Sequence, residues 1–310
     1  MEEKIILEEI FLFNETYFFD TFWAKQYFYQ KGEPNKFDKW FTSDEYFTIV
    51  EQSATNLPTT DKENPNPNPS LRLFKNGVRT GPIEYIIKDN ENKKKTNDID
   101  KIKILCENGA TLIIDNIMGL SPNLYKFLTK FAIPFRADAR INSYYTFKPN
   151  SQGFSLHRER HDVIILQILG HKQWQVGRNN NPEKSMLLSL PPADNNYDYI
   201  DLNRGDALYI PRGTWHTART IDKQSLHLTI GIHSKTGIDF ILWLIDKLKK
   251  DENENFLKNR TLDVNNVKEI ISLLRKYIAE PDENELIKKF LEDNKKNFYI
   301  NKPFRFPLNS

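Results

Sequence analysis

The chain has 310 residues, enough for one large domain with an appendage or for two modest domains. Its 44 basic and 42 acidic residues leave a net charge of +2, so the sequence supplies no positive field for holding a nucleic-acid backbone. Cys106 is the single cysteine, which excludes an internal disulfide and a cysteine metal cluster.

The N-terminal sequence MEEKIILEEIFLF has acidic residues where a signal peptide needs basic ones. The longest apolar stretches, such as FILWLI at residues 240–245, are far too short to span a bilayer. We therefore expect a soluble cytoplasmic protein, with neither a nucleic acid nor a membrane as its partner.

The N-terminal third begins with about 53 residues rich in aromatic side chains, which predict helices near residues 14–25 and 43–52. Ser43 and Asp44 are expected to cap the second helix. Polar stretches predict loops, and short runs rich in β-formers predict strands. The loops are expected at residues 57–70 and 88–100, and the strands at 71–74, 110–115 and 144–147.

Ser121 and Pro122 mark the start of a further helix. Residues 141–232 then have the pattern of an all-β domain, a sandwich or barrel whose short strands are separated by turn residues. The strand candidates are INSYYTF, FSLHRER, DVIILQI, KQWQVG, ALYIP and SLHLTIGI.

After Gly237 the apolar residues follow helical spacing, as at Ile238, Ile241 and Ile245, and further helices are expected near residues 267–278 and 283–296. The sequence therefore predicts two domains, residues 1–236 and a helical region at residues 237–310.

Chemistry is concentrated in the run HRERH. In a strand, His157 and Glu159 would point to the same side, where an imidazole and a carboxylate can bind one metal ion. His216, in GDALYIPRGTWHTA, is the predicted third ligand. Two histidines and one carboxylate on one face leave three coordination positions open, as an iron(II) oxygenase requires. The spacing alone leaves chance pairing open, or an ion pair of Glu159 with its arginine neighbours, and His161 is a rival ligand.

The segments SQGFSLHRERHDVIILQILGHKQWQV, GDALYIPRGTWHTA and SLHLTIGI resemble the cupin-like branch of the JmjC-type oxygenases, the branch that includes the ribosomal-protein hydroxylases. The resemblance covers roughly residues 11–244. It implies a mainly β fold with a double-stranded β-helix (cupin, or jelly-roll) core, N-terminal helical elements and a C-terminal helical region.

By position, His157 and His216 match the metal histidines of that family, and Glu159 stands where the family usually has Asp. The extra methylene moves the carboxylate by about a bond length, whereas metal sites tolerate roughly ±0.2 Å in ligand distance. Lys172, in GHKQW, matches the basic residue that holds the distal carboxylate of 2-oxoglutarate; apart from the resemblance it reads as an exposed lysine beside a turn.

Asn142, Tyr144 and Tyr145 lie on a strand that faces the pocket in the related enzymes, so the resemblance implies that they bind co-substrate or substrate. Which of the three points inward stays open, and aromatic packing is the alternative. His227 is expected to be a hydrogen-bonded or core histidine and not a ligand.

The resemblance implies an iron(II)- and 2-oxoglutarate-dependent dioxygenase that uses O2 to hydroxylate an unactivated C–H bond, with a protein or peptide side chain as its substrate. Two alternatives stay open: a hydroxylase of a small molecule such as an amino acid, and a non-catalytic metal-binding cupin module. The apolar faces of the helices after Gly237 predict a homodimer.

Overall fold

The computed structural model describes residues 6–58, 69–88, 95–178, 190–191, 193, 196–250, 267–268, 271–272, 275 and 283–295. The chain divides into two compact units, Met1–His233 and Ser234–Ser310, whereas the sequence placed the boundary after residue 236. Within the described residues, no helix has the length and apolar character that a membrane crossing requires.

Within the described residues, the first unit contains five α-helices, and two helices of the second unit are described from end to end. They are α1 (Ile6–Phe11), α2 (Glu15–Thr21), α3 (Ser43–Ser53), α4 (Ile99–Glu107), α5 (Pro122–Phe131), α6 (Gly237–Lys250) and α7 (Glu283–Lys295).

The helix ends follow ordinary capping chemistry. Ser121 caps α5 through a hydrogen bond that its hydroxyl accepts from Leu124 N, as the Ser-Pro pair predicted. The predicted cap of α3 is wrong by one residue: Thr42 has the extended backbone and accepts from Glu45 N, so Ser43 is already the first helical residue.

Thirteen strands hold more residues than the helices do in the described part of the first unit. They are β1 (Phe28–Gln30), β2 (Ser70–Lys75), β3 (Val78–Arg79), β4 (Ile86–Lys88), β5 (Lys95–Asn97), β6 (Thr111–Asp115), β7 (Asp138–Thr146), β8 (Asp162–Leu169), β9 (His171–Gly177), β10 (Tyr197–Asn203), β11 (Ala207–Ile210), β12 (His216–Thr220) and β13 (Ser225–His233). The mainly β class is therefore confirmed.

The strands form two main antiparallel sheets. The larger has the order β1-β11-β8-β13-β7-β6-β2-β3, the smaller has the order β10-β9-β12, and β4 and β5 form a separate hairpin. The chain passes from the larger sheet to the smaller at Gly170, whose φ of +69° favours glycine and whose added Cβ would lie 1.9 Å from Gln224 O.

A shared apolar core joins the two sheets. It contains buried residues of β8 and β11 from the larger sheet and of β9 and β10 from the smaller one: Val163, Ile165, Trp174, Val176, Leu202, Leu208 and Ile210. Strand β8 (DVIILQIL) is buried at every position but the last, which explains its continuous apolar run: β11 and β13 flank it, and both of its faces are covered.

Three strand and loop predictions need correction. The segment FSLHRER is not a strand; only His157 pairs there, in an isolated antiparallel bridge to His216. Strands β10 and β12 were missed because YDYIDLN and HTART are polar, and their pairing with β9 supplies the ladder that their composition does not predict. Residues 95–97 form β5, so the second predicted loop is shorter; residues 59–68 and 89–94 lie outside the described part.

In the second unit, α6 and α7 pack through aromatic side chains. The rings of Phe240 and Trp243 contact that of Phe290, and Trp243 Nε1 donates to Asp293 Oδ2 at 3.1 Å. The helix predicted near residues 267–278 is helical where it is described, but Leu274 and Ile278 lie outside the described residues, as does the tail from residue 296.

Candidate metal centre

A cavity of about 660 Å³ lies between the inner faces of the two sheets. Its lining includes every predicted site residue except Tyr145: His157, Glu159, His216, Lys172, Asn142 and Tyr144. Positions far apart in the sequence are therefore brought into one cavity.

Two backbone hydrogen bonds join His157 and His216. His157 N donates to His216 O at 3.0 Å, and His216 N donates to His157 O at 2.7 Å. Residues paired in this way carry their side chains on the same face, and the two ring centroids lie 4.5 Å apart. The bridge thus places two imidazoles side by side.

Each ring is held in one tautomer by a backbone carbonyl. Nδ1 of His157 donates to Ser155 O at 2.8 Å and Nδ1 of His216 donates to Thr214 O at 2.9 Å. A carbonyl only accepts, so the proton lies on Nδ1 and Nε2 keeps its lone pair for a metal. Burial lowers the pKa of His216 to about 3, and the neighbouring His157 acts in the same direction, so this ring is neutral.

Glu159 supplies an ionised oxygen donor beside these rings. Its Oε1 lies 3.5 Å from His157 Nε2 and its backbone oxygen accepts from Gly213 N at 2.8 Å. Burial opposes ionisation, but the contact with His157 and the other neighbouring imidazoles lower the pKa of Glu159 to about 2.

The donor set of two imidazole nitrogens and one carboxylate fits an iron(II) ion chemically. In the described part of the chain, however, no three His, Cys, Asp or Glu side chains are already arranged around a common ion position. The Glu159 carboxylate contacts the His157 ring instead, so the three-residue ligand set stays a prediction.

His161, the rival ligand, also lines the cavity. Its Nδ1 lies 3.9 Å from Glu159 Oε2, and its ring stacks on that of His233 at 4.2 Å. It therefore contacts the same carboxylate from a ring that is packed against β13.

Lys172 is a buried cation on β9, where it pairs with Thr220 of β12. Its relative exposure is 3%, which rules out the alternative of an exposed lysine beside a turn. Within the described residues no carboxylate pairs with it; Nζ has His227 Nδ1 at 3.5 Å as its hydrogen-bond partner. Burial lowers the pKa of Lys172 to about 7. An ammonium group in this position favours an incoming anion.

The pleat of β7 decides between the three candidates on that strand. Asn142 and Tyr144 are two residues apart and share the face that lines the cavity. Tyr145 points to the other face, where its ring contacts Tyr46 and Phe47 and its hydroxyl hydrogen-bonds Gln224. The predicted cofactor-binding role of Tyr145 is therefore wrong, because the alternation of the strand turns it away from the cavity.

One feature of the larger sheet was missed by the sequence reasoning. Arg72 on β2 and Asp115 on β6 form a doubly hydrogen-bonded ion pair in the cavity wall, with N–O distances of 2.5 and 2.6 Å. His227, expected to be a hydrogen-bonded or core histidine, is buried and stacks face to face on Tyr144, with ring centroids 4.8 Å apart. The only sequence signal for Arg72 was a charged residue inside an apolar strand, LRLF.

Comparison with known proteins agrees with this architecture. A family model described as the JmjC domain matches residues 123–240. Ribosomal oxygenase 1 of Rattus norvegicus is 32% identical over 170 residues, which cover 51% of this chain and 28% of the relative. The protein called bifunctional lysine-specific demethylase and histidyl-hydroxylase NO66 of Dictyostelium discoideum is 26% identical over 61% of this chain and 42% of its own length.

Among solved structures, the Escherichia coli ribosomal oxygenase YcfD in complex with cobalt and 2-oxoglutarate matches with a TM-score of 0.59 and 16% identity, over 96% of this chain and 73% of that chain. The fold is thereby that of the predicted double-stranded β-helix. The chain spans less than half the length of the curated relatives named here. Residues 123–240 match the JmjC domain model, and the resemblance to the JmjC-type oxygenases predicted from the sequence is confirmed.

Proposed function

We propose that this chain is an iron(II)- and 2-oxoglutarate-dependent dioxygenase that hydroxylates an unactivated C–H bond, with a protein or peptide side chain as substrate. The observation that carries the proposal is the buried Lys172, a cation without a carboxylate partner among the described residues, in a cavity that also holds His157, Glu159 and His216. 2-Oxoglutarate is a dianion, and its distal carboxylate would supply the missing charge.

In this proposal His157, Glu159 and His216 hold the metal. The carbonyls of Ser155 and Thr214 fix the tautomer and orientation of the two rings, and the Gly213 amide fixes the backbone of Glu159. When bound, iron(II) with 2-oxoglutarate and O2 supplies the oxidation that inserts oxygen into a C–H bond.

The remaining side chains bind the co-substrate and form the walls of the cavity. Lys172 holds the far end of the co-substrate, with His227 accepting one of its N–H groups. Asn142 and Tyr144 present polar atoms to the same cavity, while Val163, Ile165 and Trp174 give it apolar walls that exclude water. Enclosure of this kind protects a reactive centre from side reactions.

The relatives support the substrate class. Their names describe ribosomal oxygenases and a histidyl-hydroxylase, enzymes that act on protein side chains. A hydroxylase of a free amino acid and a non-catalytic metal-binding cupin are the alternatives, and Glu159 in place of Asp is what favours the second.

A homodimer forms part of the proposal. On α6, Ile238, Ile241 and Leu242 are exposed although the helix is amphipathic, and they form an apolar stripe fit for a second copy. A cytoplasmic location stays a prediction.

Anaerobic titration of the purified chain with iron(II) and 2-oxoglutarate tests the proposal. We expect the weak visible charge-transfer band of the chelate, and its loss in His216→Ala, whereas Lys172→Ala should shift the titration to higher 2-oxoglutarate. If the wild type gives no band while Glu159→Asp does, the non-catalytic reading holds. If peptides gain no oxygen but free amino acids do, the substrate class is wrong.

A further inference from the structure

The two histidines of the candidate metal centre lie on different kinds of backbone. His216 is the first residue of β12 and is held by the ladder with β9. His157 lies outside the described strands, in an isolated bridge, and its ring is oriented by the hydrogen bond from Nδ1 to the Ser155 carbonyl. That carbonyl ends a short segment, residues 151–155, which we call the approach loop. Whatever holds the approach loop therefore also holds the ring of His157.

The turn between β2 and β3 holds the approach loop on one side. Asn76 N donates to Gln152 O and Gly77 N donates to Gly153 O, both at 2.7 Å. The two turn residues have φ values of 51° and 79°, as a two-residue hairpin turn of this twist requires. A Cβ added at Gly77 would lie 1.8 Å from Ser155 Oγ and 2.9 Å from Ser155 Cβ. The turn backbone thus packs directly on the residue whose carbonyl orients the ring.

Strand β12 holds the approach loop on the other side. Gln152 forms an isolated antiparallel bridge with Arg219. The Gln152 side chain donates from Nε2 to Thr217 Oγ1 at 2.7 Å and to Phe154 O at 2.9 Å. Thr217 Oγ1 donates to the same carbonyl at 2.9 Å. Because β2 and β3 belong to the larger sheet and β12 to the smaller one, the approach loop is fixed between the two sheets.

We propose that Gly77 and Gln152 are positioning residues for the metal site: they hold the approach loop so that the Ser155 carbonyl keeps the proton of His157 on Nδ1 and leaves Nε2 to the metal. Neither residue lines the cavity, so both act through the loop. Partners that fix the tautomer and orientation of a metal histidine raise the affinity for the metal. The inference rests on the proposed function for the use of this ring, but the orientation itself belongs to the ligand-free protein.

The tautomer of His157 in the metal-free protein tests this. Nitrogen–hydrogen correlation NMR of isotopically labelled histidine is recorded at a pH where the imidazoles are neutral, and His157→Ala identifies the signals. We expect the proton on Nδ1 in the wild type and a mixture of tautomers in Gly77→Ala, because the added methyl displaces Ser155. Cobalt(II) binding, followed by visible absorption, should weaken by about tenfold, as when a hydrogen-bond partner of a metal ligand is lost.

Ser155→Gly is the matched variant, because it removes the two atoms nearest to the added methyl and keeps the carbonyl. Gly77→Ala/Ser155→Gly should recover the Nδ1 tautomer and most of the cobalt affinity, and the two single variants complete the cycle. Gln152→Met keeps the size of the side chain, loses both donated hydrogen bonds and should weaken cobalt binding by about threefold to tenfold. His216, held by Thr214 O, should keep its tautomer throughout.

The inference is overturned if Gly77→Ala keeps the tautomer and the cobalt affinity of the wild type, or if the double variant recovers neither. If Gly77→Ala does not fold, Gln152→Met carries the test, and unchanged cobalt binding in that variant overturns the inference. The iron titration decides the proposed function separately. A wild type that loses the Nδ1 tautomer in Gly77→Ala but gives no chelate band supports this inference and contradicts the proposed function.

Discussion

Two cations face the same cavity from different sheets, and they differ in how the chain treats them. Arg72, on β2 of the larger sheet, makes two hydrogen bonds to the carboxylate of Asp115. Lys172, on β9 of the smaller sheet, is more deeply buried and has His227 in place of a carboxylate within the described residues. A buried charge paired within the chain serves the fold, whereas one without such a counter-charge reduces stability until an anion binds. The comparison separates a structural wall of the cavity, with Arg72 and Asp115, from a wall with Lys172 that we propose binds the ligand.

The largest expected effect lies on the ligand-binding wall. Replacing His157 or His216 with Ala should remove iron-dependent succinate formation. Mutation of the hydrogen-bond partners of metal ligands already lowers metal affinity or activity by about 10–100-fold, and loss of a ligand itself should lower it further. His161→Ala is the control and should keep much of the activity. If His161→Ala abolishes succinate formation while Glu159→Ala retains it, the ligand set is misassigned. Succinate release measures all four variants.

A change in the Arg72–Asp115 pair should lower the free energy of unfolding. Arg72→Met leaves Asp115 buried without its partner, and breaking a buried pair in this way typically costs about 3–5 kcal/mol. Urea unfolding followed by circular dichroism measures the change. A loss below about 1 kcal/mol, the range of an exposed pair, would contradict the assignment of Arg72 to the fold.

Lys172→Met should do the opposite. Removal of a buried charge that has no carboxylate partner among the described residues should leave the ligand-free protein equally stable or more stable, by up to about 1–4 kcal/mol. The same variant should raise the 2-oxoglutarate concentration needed for half-saturation by more than about tenfold, since a charge-assisted hydrogen bond is lost. Thermal unfolding with and without 2-oxoglutarate separates the two effects. A destabilised ligand-free variant would make Lys172 a structural residue like Arg72.

The pH dependence of stability sharpens the same contrast. Burial lowers the pKa of Lys172 to about 7 from an unfolded value of 10.5, so between these values the unfolded chain binds a proton that the folded chain lacks. The stability of the ligand-free protein should therefore rise with pH across this window, and Lys172→Met should lack that part of the rise. Urea midpoints of both proteins at several pH values above 7 test this. Parallel curves would contradict it.

The smallest expected effect compares neighbours on β7. Tyr144→Phe should weaken 2-oxoglutarate binding by about twofold to tenfold, which corresponds to one hydrogen bond, because Tyr144 lines the cavity. Tyr145→Phe should leave that affinity unchanged and cost about 1 kcal/mol of stability, because Gln224 loses its partner. Calorimetric titration and thermal unfolding measure the pair; equal losses of affinity would contradict the orientation of β7.

The regular elements could be predicted because their signals are local. The apolar run of β8, the Ser-Pro start of α5 and the period of α6 each specify their own conformation through burial and capping. The polar strands β10 and β12 could not, since what holds them is pairing with β9 and not their own composition. The same reason explains the error at FSLHRER, which has the composition of a strand but no partner beyond His157.

For the site, the sequence by itself, with the JmjC resemblance, predicted which side chains would carry the chemistry: the histidines, the carboxylate and the lysine in their motifs. Only the tertiary structure decided which of these side chains are buried, which are paired and which face the cavity. It buried Lys172 without a carboxylate partner among the described residues, turned Tyr145 outward and set Arg72 against Asp115. The physical reason is that side-chain identity is local, whereas burial, pairing and facing depend on which distant strands meet.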